Sequence, residues 1–162
     1  MRRLLLAVYG RRRLSAVLGK VSVLCSVVIA LAFAVEMAYL IIQKNYVPFL
    51  CIGISALVGF LLVTLFRRLF DAPRPYELYD FYIEKPKEKK GRSFPSRHAY
   101  SAFALSTLVI YLSIPAAVAL FAVAILLCDF RVLLGIHFIR DVITGALVGT
   151  FAGVIGLLII PV

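Results

Sequence analysis

The chain has two histidines, His98 and His137, and both lie in short polar segments between long apolar runs. His137 is followed four residues later by Asp141, a spacing that puts both side chains on one face if a helix begins near His137. The carboxylate can then accept the imidazole Nδ1 proton, which leaves the Nε2 lone pair free to attack. His98 can protonate a departing oxygen and then take a proton from water. This combination is typical of nucleophilic catalysis.

Arginines accompany both histidine segments. Arg67 and Arg74 precede the first segment, and Arg131 precedes the second. Each guanidinium is a planar, permanently charged donor fork that suits two parallel hydrogen bonds with a phosphate. Ser96 and the backbone N–H groups at the start of the following helix would add donors for an anion. These residues predict phosphoryl transfer without a metal ion.

The elements that position these residues are membrane helices. Hydrophobic residues make up 63% of the 162 positions, far above the roughly 45–50% of a soluble domain. Apolar runs close to the ~20 residues needed to cross a bilayer predict an all-α integral membrane protein, a compact bundle of about five transmembrane helices. The predicted spans are Val21–Gln43, Val47–Phe66, Ala99–Ser113, Ala116–Phe130 and Val142–Val162. Because the third and fourth are short, we expect their ends to include flanking residues such as His98.

Residues 1–20 alternate apolar side chains with arginine clusters, as in a segment that lies along the membrane surface. A cleavable signal peptide is the alternative, because Ala32-Phe33-Ala34 resembles a cleavage site. The apolar run continues to Ile42 and is too long for a typical signal core, which favours a retained first span. We therefore divide the chain into an interfacial segment, residues 1–20, and one transmembrane domain, residues 21–162, with a site loop at 67–98.

The formal net charge of +10 is distributed unequally between the two predicted faces. Of the 18 lysines and arginines, all but Lys44 lie on the face that carries the histidines. The positive-inside rule makes this face cytoplasmic, together with the N-terminus. The bias persists when the arginines with a candidate role are set aside. This distribution indicates membrane topology rather than nucleic-acid binding.

The functional interpretation depends on the histidines, arginines and aspartate lying together on one predicted face. A single boundary arginine is usually an interfacial anchor, and a lone histidine is usually structural. Here both histidines, three arginines and an aspartate reach the same face in fixed local spacings. Clusters of ionisable residues at a membrane boundary are functional by default, so we expect one shared anion site.

Three blocks of this sequence resemble the type 2 phosphatidic acid phosphatase superfamily. The signature of the membrane members is Lys-x6-Arg-Pro, Pro-Ser-Gly-His and Ser-Arg-x5-His-x3-Asp. Here the blocks are Arg67-x6-Arg74-Pro75, Pro95-Ser96-Arg97-His98 and Phe130-Arg131-x5-His137-x3-Asp141. The resemblance covers about residues 67–141 and implies the family's compact helical core, so that residues 21–162 would form a phosphatase domain.

The resemblance also implies roles for individual residues. His137 would be the nucleophile that forms a phosphohistidine, Asp141 would orient it, and His98 would act as general acid and then base. The phosphate would be held by Arg67, Arg74, Ser96, Arg97 and Arg131. The reaction would be hydrolysis of a lipid phosphate monoester or diphosphate with no metal or cofactor. Phosphatidic acid, phosphatidylglycerol phosphate, polyprenyl phosphates or diphosphates and sphingoid phosphates all fit, and the sequence does not choose among them.

Three residues depart from the family signature. Arg67 replaces lysine and keeps the charge. Arg97 replaces glycine, and its side chain would either contact a second anionic group or extend into the headgroup layer. Phe130 replaces serine, which removes a hydroxyl donor, so either activity is lower or another group, such as Ser93 or a water molecule, compensates. Loss of a donor that acts in the transition state lowers a rate by ~10²–10³.

Small residues and the connecting segment carry further expectations. Gly145, Gly149 and Gly153 give the last span a smooth face, which favours packing within the monomer over a homodimer interface. The three cysteines, Cys25, Cys51 and Cys128, lie in apolar runs without the spacing of a disulfide framework or metal site. Residues 76–92 mix aromatic and charged side chains, as expected of a surface loop that covers the site or of a solvated linker.

Two other functions remain open from the sequence. A membrane protein that binds lipid phosphates without turnover would tolerate Phe130 and would not need His137. A transferase would pass phosphate or a lipid-linked group to an acceptor other than water. Transport through the bilayer is poorly supported, because the polar residues gather on one face and form no path across it.

Overall fold

The computed structural model describes residue 8 and residues 12–78 and 91–161 of the chain. These residues are mainly α-helical, with no strand among them. The helices are α1 (Arg12–Ile42), α2 (Tyr46–Leu69), α3 (Pro75–Leu78), α4 (Arg97–Leu108), α5 (Ile114–Leu133) and α6 (Ile139–Leu158), and a 3₁₀ turn, Val109–Tyr111, extends α4. The all-α fold expected from the sequence is confirmed.

Helices α1, α2, α5 and α6 are long and apolar enough to cross a membrane. Their outward faces expose large apolar side chains, such as Leu31 at 60%, Leu62 at 61% and Leu147 at 67% of their surface. Extended apolar surface of this kind suits contact with acyl chains rather than water. With α4 as a fifth helix, the bundle is that of a multi-pass membrane protein.

Helix α4 is the central helix and accounts for the short third span. Its 12 residues extend about 18 Å, less than the ~30 Å of a bilayer core. It contacts α1, α2, α5 and α6. It begins at Arg97 rather than at the predicted Ala99, because the Ser96 hydroxyl accepts a hydrogen bond from the Ala99 N–H at 3.3 Å and caps the helix. His98 therefore lies in the first turn of the central helix.

Helices α1 and α6 also begin earlier than the sequence predicted. Helix α1 begins at Arg12 instead of Val21, so residues 12–20 continue the first span as helix, whereas residues 1–7 and 9–11 of the expected interfacial segment lie outside the described residues. Helix α6 begins before the predicted Val142, because the Asp141 carboxylate accepts a hydrogen bond from the Phe138 N–H at 3.0 Å and closes the first turn.

The glycines of α6 allow its backbone to approach α4 closely. A Cβ atom at Gly145 would lie 2.5 Å from the Ser96 carbonyl oxygen, and one at Gly149 would lie 2.4 Å from the Tyr100 carbonyl oxygen. A Cβ atom at Gly153 would lie 2.6 Å from the Cβ of Thr107. The expected packing of this glycine face within the monomer is confirmed, and it fixes the start of α4 against the start of α6.

Candidate active site

Three segments distant in sequence meet at one end of the bundle. They are the end of α2 with α3, the segment 91–96 before α4, and the connection between α5 and α6. The Ser93 N–H donates to the Ala72 carbonyl oxygen at 2.9 Å, and the Ser96 N–H donates to the Asp141 carbonyl oxygen at 2.9 Å. These two backbone hydrogen bonds tie segment 91–96 to the other two segments.

His137 and Asp141 form the buried centre of this region, with 2% and 0% of their surfaces exposed. His137 lies just before α6, and its Nδ1 atom is 3.7 Å from Asp141 Oδ2. The Ser93 hydroxyl donates a hydrogen bond to the same carboxylate oxygen and lies 3.3 Å from His137 Nδ1. The carboxylate is therefore held by Ser93 and by the Phe138 N–H as well as facing the imidazole.

The surroundings of His137 favour its neutral form. Burial lowers the pKa of the imidazole below its usual value of 6.5, and the positive charges of Arg74 and Arg67 lower it further. The neighbouring Asp141 carboxylate, with its negative charge, opposes the shift without reversing it. A ring with a lowered pKa is unprotonated at neutral pH, which keeps a nitrogen lone pair available.

Arg67 is buried at the end of α2 and holds segment 91–96 in place. Its guanidinium donates to the carbonyl oxygens of Arg92, Ser93 and Pro95, the Ser93 bond being 3.2 Å long. These carbonyl groups precede α4 and have no helical partner, so they require donors from elsewhere. Arg67 thus has a structural contact in addition to the phosphate role predicted from the sequence.

Arg74 is also buried and makes a comparable hydrogen bond with Gly91, the first residue of segment 91–96. Its Nε donates to the Gly91 carbonyl oxygen at 3.0 Å. Glu77 completes the arrangement, because its carboxylate accepts from the Gly91 N–H at 2.6 Å and from the Arg74 N–H at 3.3 Å. This role of Glu77 is not predicted from the sequence, because the pattern of residues 76–92 indicates a surface loop or linker. Residues 79–90 of that segment lie outside the described residues.

The other predicted site residues surround His98. Arg131 is buried in the last turn of α5, and Arg97 is exposed, with its guanidinium carbon 6.0 Å from the centre of the Phe60 ring. His98 is within electrostatic range of Arg131, Arg97, Arg67 and His137. Ser96 is fully buried, and its hydroxyl oxygen serves α4 as the N-cap acceptor. The structure therefore brings all eight predicted residues to one region.

Two cavities border this region. A polar one of about 180 Å³ is lined by Arg67, Arg74 and Arg97, among others. An apolar one of about 310 Å³ lies between α1, α2, α4 and α5, and both Arg97 and His98 line it. Arg97 borders both cavities, so its cationic side chain adjoins an arginine-lined space on one side and an apolar space on the other.

The described ranges contain no group of three or more His, Cys, Asp or Glu side chains that could hold a metal ion. Cys25, Cys51 and Cys128 are free thiols in α1, α2 and α5. The charged groups that the described site offers to an anion are arginines.

Comparison with known families identifies the chain. The family model of the PAP2 superfamily matches residues 48–161, which include every predicted site residue. The chain belongs to the PAP2 superfamily. The resemblance expected from the three sequence blocks is thereby confirmed. No curated protein sequence matches this PAP2 protein significantly.

Two solved structures are similar to this PAP2 protein. LpxE from Aquifex aeolicus is 25% identical, with a TM-score of 0.72 over 96% of this chain and 93% of that one. A transmembrane PAP2-type phosphatidylglycerolphosphate phosphatase from Bacillus subtilis is 21% identical, with a TM-score of 0.74 over 96% of this chain and 82% of that one. The second likeness supports the fold, and both relatives match nearly the whole chain.

Proposed function

We propose that this PAP2 protein is a membrane lipid phosphatase that hydrolyses a lipid phosphate monoester or diphosphate without a metal ion. The observation that carries the proposal is the junction at Arg97, where an arginine-lined cavity and an apolar cavity border the same side chain beside His98. A phosphate in the first cavity and the adjoining apolar part of a lipid in the second would place the ester bond near His98.

The reaction would proceed in two displacements. The Nε2 atom of His137 attacks phosphorus, the bond to the lipid oxygen breaks, and His98 donates a proton to that oxygen. His98 then takes a proton from a water molecule whose oxygen attacks the phosphohistidine, and the P–N bond breaks to release phosphate and neutral His137. The arginines offset the charge that builds on the phosphoryl oxygens. The lowered pKa of His137 favours the first step, because only the neutral ring is a nucleophile.

The substrate class is a phosphate at the membrane surface with an apolar tail. Phosphatidic acid, phosphatidylglycerol phosphate, and polyprenyl phosphate or diphosphate all meet this description. The name of the Bacillus subtilis relative supports phosphatidylglycerol phosphate as the first candidate to assay. The apolar cavity of about 310 Å³ is at the lower end of ligand-pocket volumes, so it would accommodate only part of one chain.

The test is phosphate release by protein purified in detergent, with these lipids, a chelator present and vanadate as a phosphate mimic. We expect turnover in chelator, inhibition by vanadate, and loss of turnover in His137→Ala. Lys44→Ala, at the opposite end of the bundle, is the matched control and should retain activity. Turnover by His137→Ala would refute the assignment of His137 as the nucleophile. A strict requirement for Mg²⁺ would refute a metal-independent reaction.

We also propose that the site opens on the cytoplasmic face, as the distribution of basic residues indicates. Single cysteines at Asp71, exposed near the site, and at Asn45, exposed between α1 and α2, would report the two faces in a background without native cysteines. A membrane-impermeant thiol reagent should label the Asn45 variant in intact cells and the Asp71 variant only after lysis. The reverse pattern would refute this orientation.

A lipid-phosphate-binding protein without turnover is the second candidate, and Phe130 favours it. The family signature has serine at this position, whereas the Phe130 ring packs against the apolar cluster that contains Ala124 and Leu127. It supplies no hydroxyl donor to a phosphate. Vanadate binding by a wild-type protein that releases no phosphate from any lipid of the panel would favour this function.

A further inference from the structure

The contact between His137 and Asp141 is too long for a direct hydrogen bond. The 3.7 Å between Nδ1 and Oδ2 exceeds the ~2.7–3.2 Å of an N–H to oxygen bond. The Ser93 hydroxyl lies beside both groups, hydrogen-bonded to Asp141 Oδ2 and 3.3 Å from His137 Nδ1. We propose that Ser93 is a positioning residue that connects the aspartate to the nucleophilic histidine. This inference rests on the proposed function of His137.

The direction of the two hydrogen bonds follows from the chemistry of the groups. An ionised carboxylate can only accept, so the single hydroxyl proton of Ser93 is donated to Asp141. The Ser93 oxygen then presents a lone pair to His137 Nδ1, which must carry the proton of the neutral ring. The Ser93 and Asp141 pair therefore selects the tautomer whose Nε2 is unprotonated, as a nucleophile requires.

The position of Ser93 is fixed from both sides of its backbone. Its N–H donates to the Ala72 carbonyl oxygen at 2.9 Å, and its carbonyl oxygen accepts from Arg67 at 3.2 Å. The residue is 1% exposed, so no bulk water competes for its hydroxyl. Ser93 contacts Arg67 through its carbonyl oxygen and His137 through its hydroxyl. Segment 91–96 would therefore position both the Arg67 guanidinium and the His137 imidazole.

The test uses histidine ¹⁵N NMR and kinetics together. In a His98→Gln background, His137 is the chain's single histidine, so its two ring nitrogens can be observed alone in protein purified without a histidine tag. We expect a protonated Nδ1 and an unprotonated Nε2 at neutral pH. The opposite tautomer would overturn the proposal, and this measurement needs no substitution at Ser93.

Ser93→Ala removes the hydroxyl and Ser93→Thr keeps it. With His98 intact, we expect Ser93→Ala to lower kcat by roughly 10–100-fold, the effect of a misplaced reacting group, with KM changed less than about threefold. Ser93→Thr should restore most of kcat. In the His98→Gln background, Ser93→Ala should shift the ¹⁵N signals toward a mixture of tautomers, which a purely structural role of Ser93 would not cause.

The outcomes separate this inference from the proposed function. Active wild-type protein with an unchanged kcat and tautomer in Ser93→Ala would refute the role of Ser93 and leave the phosphatase intact. A tautomer shift in Ser93→Ala, in a protein that hydrolyses no lipid phosphate, would support the hydrogen-bond chain and refute the phosphatase. A higher KM with unchanged kcat would instead give Ser93 the phosphate-binding role considered from the sequence, and would overturn this proposal.

Discussion

Replacement of Gly145 by alanine tests whether the packing of α6 on α4 sets the geometry of the site. The added Cβ atom would lie 2.5 Å from the Ser96 carbonyl oxygen, 3.0 Å from the Ala99 Cβ and 3.2 Å from the Tyr100 backbone nitrogen. To reach 3.0–3.4 Å, the Ser96 carbonyl must retreat by roughly 0.5–0.9 Å. Ser96 starts the helix that carries His98, and its N–H is bonded to Asp141, so the shift would separate the two halves of the site.

The magnitude follows from this displacement. A misplacement of reacting groups by about 1 Å lowers a rate by roughly 10²-fold, and overpacking in a well-packed core lowers stability by about 1–3 kcal/mol. We therefore expect Gly145→Ala to reduce kcat by about 10–100-fold and to lower Tm by several degrees.

Gly153→Ala is the matched control. Its Cβ atom would lie 2.6 Å from the Thr107 Cβ atom, on the same helix pair but more than two turns farther from Ser96. We expect a comparable loss of Tm with kcat within about threefold of wild type, because the strain lies away from the histidines. Lipid-phosphate hydrolysis in detergent and thermal unfolding of both variants measure the two effects. Equal losses of kcat, or none in Gly145→Ala, would refute the coupling of this packing to the site.

Three further expectations concern single residues. In a His98→Gln background, the ¹⁵N signals of His137 should titrate with a pKa below 6.5, because burial and nearby arginines disfavour the charged ring; a midpoint at or above 6.5 contradicts this. Glu36→Leu should stabilise the protein by about 1–3 kcal/mol, since a fully buried carboxyl group is removed, and a lower Tm would reveal a stabilising partner. Arg97→Gly should raise KM roughly 3–10-fold with kcat unchanged, because an exposed side chain at the cavity junction contributes to substrate binding; a fall in kcat alone would refute that role.

Local spacing predicted the membrane helices and the convergence of the histidines and arginines well. The prediction of helix starts was poorer, because caps decide them: the Ser96 hydroxyl moves the start of α4 to Arg97, and the Asp141 carboxylate closes the first turn of α6. The role of Glu77 escaped the sequence entirely, since its partner Gly91 is 14 residues away. The sequence suggests Ser93 only as a substitute for the missing serine hydroxyl at position 130, whereas its hydroxyl contacts Asp141 and lies beside His137.

The sequence by itself determined the class of protein, the end of the bundle that carries the charge, and the residue types of the candidate site. Hydrophobic runs and short spacings encode these properties locally, so they can be inferred before the chain is folded. Only the tertiary structure decided that Ser93 contacts both His137 and Asp141, that Arg67 holds the segment before α4, and that Arg97 borders two cavities. Each of these features depends on contacts between residues far apart in sequence. The path of segment 91–96 is set by hydrogen bonds with the backbone of other segments and with arginine side chains, which form only in the folded chain.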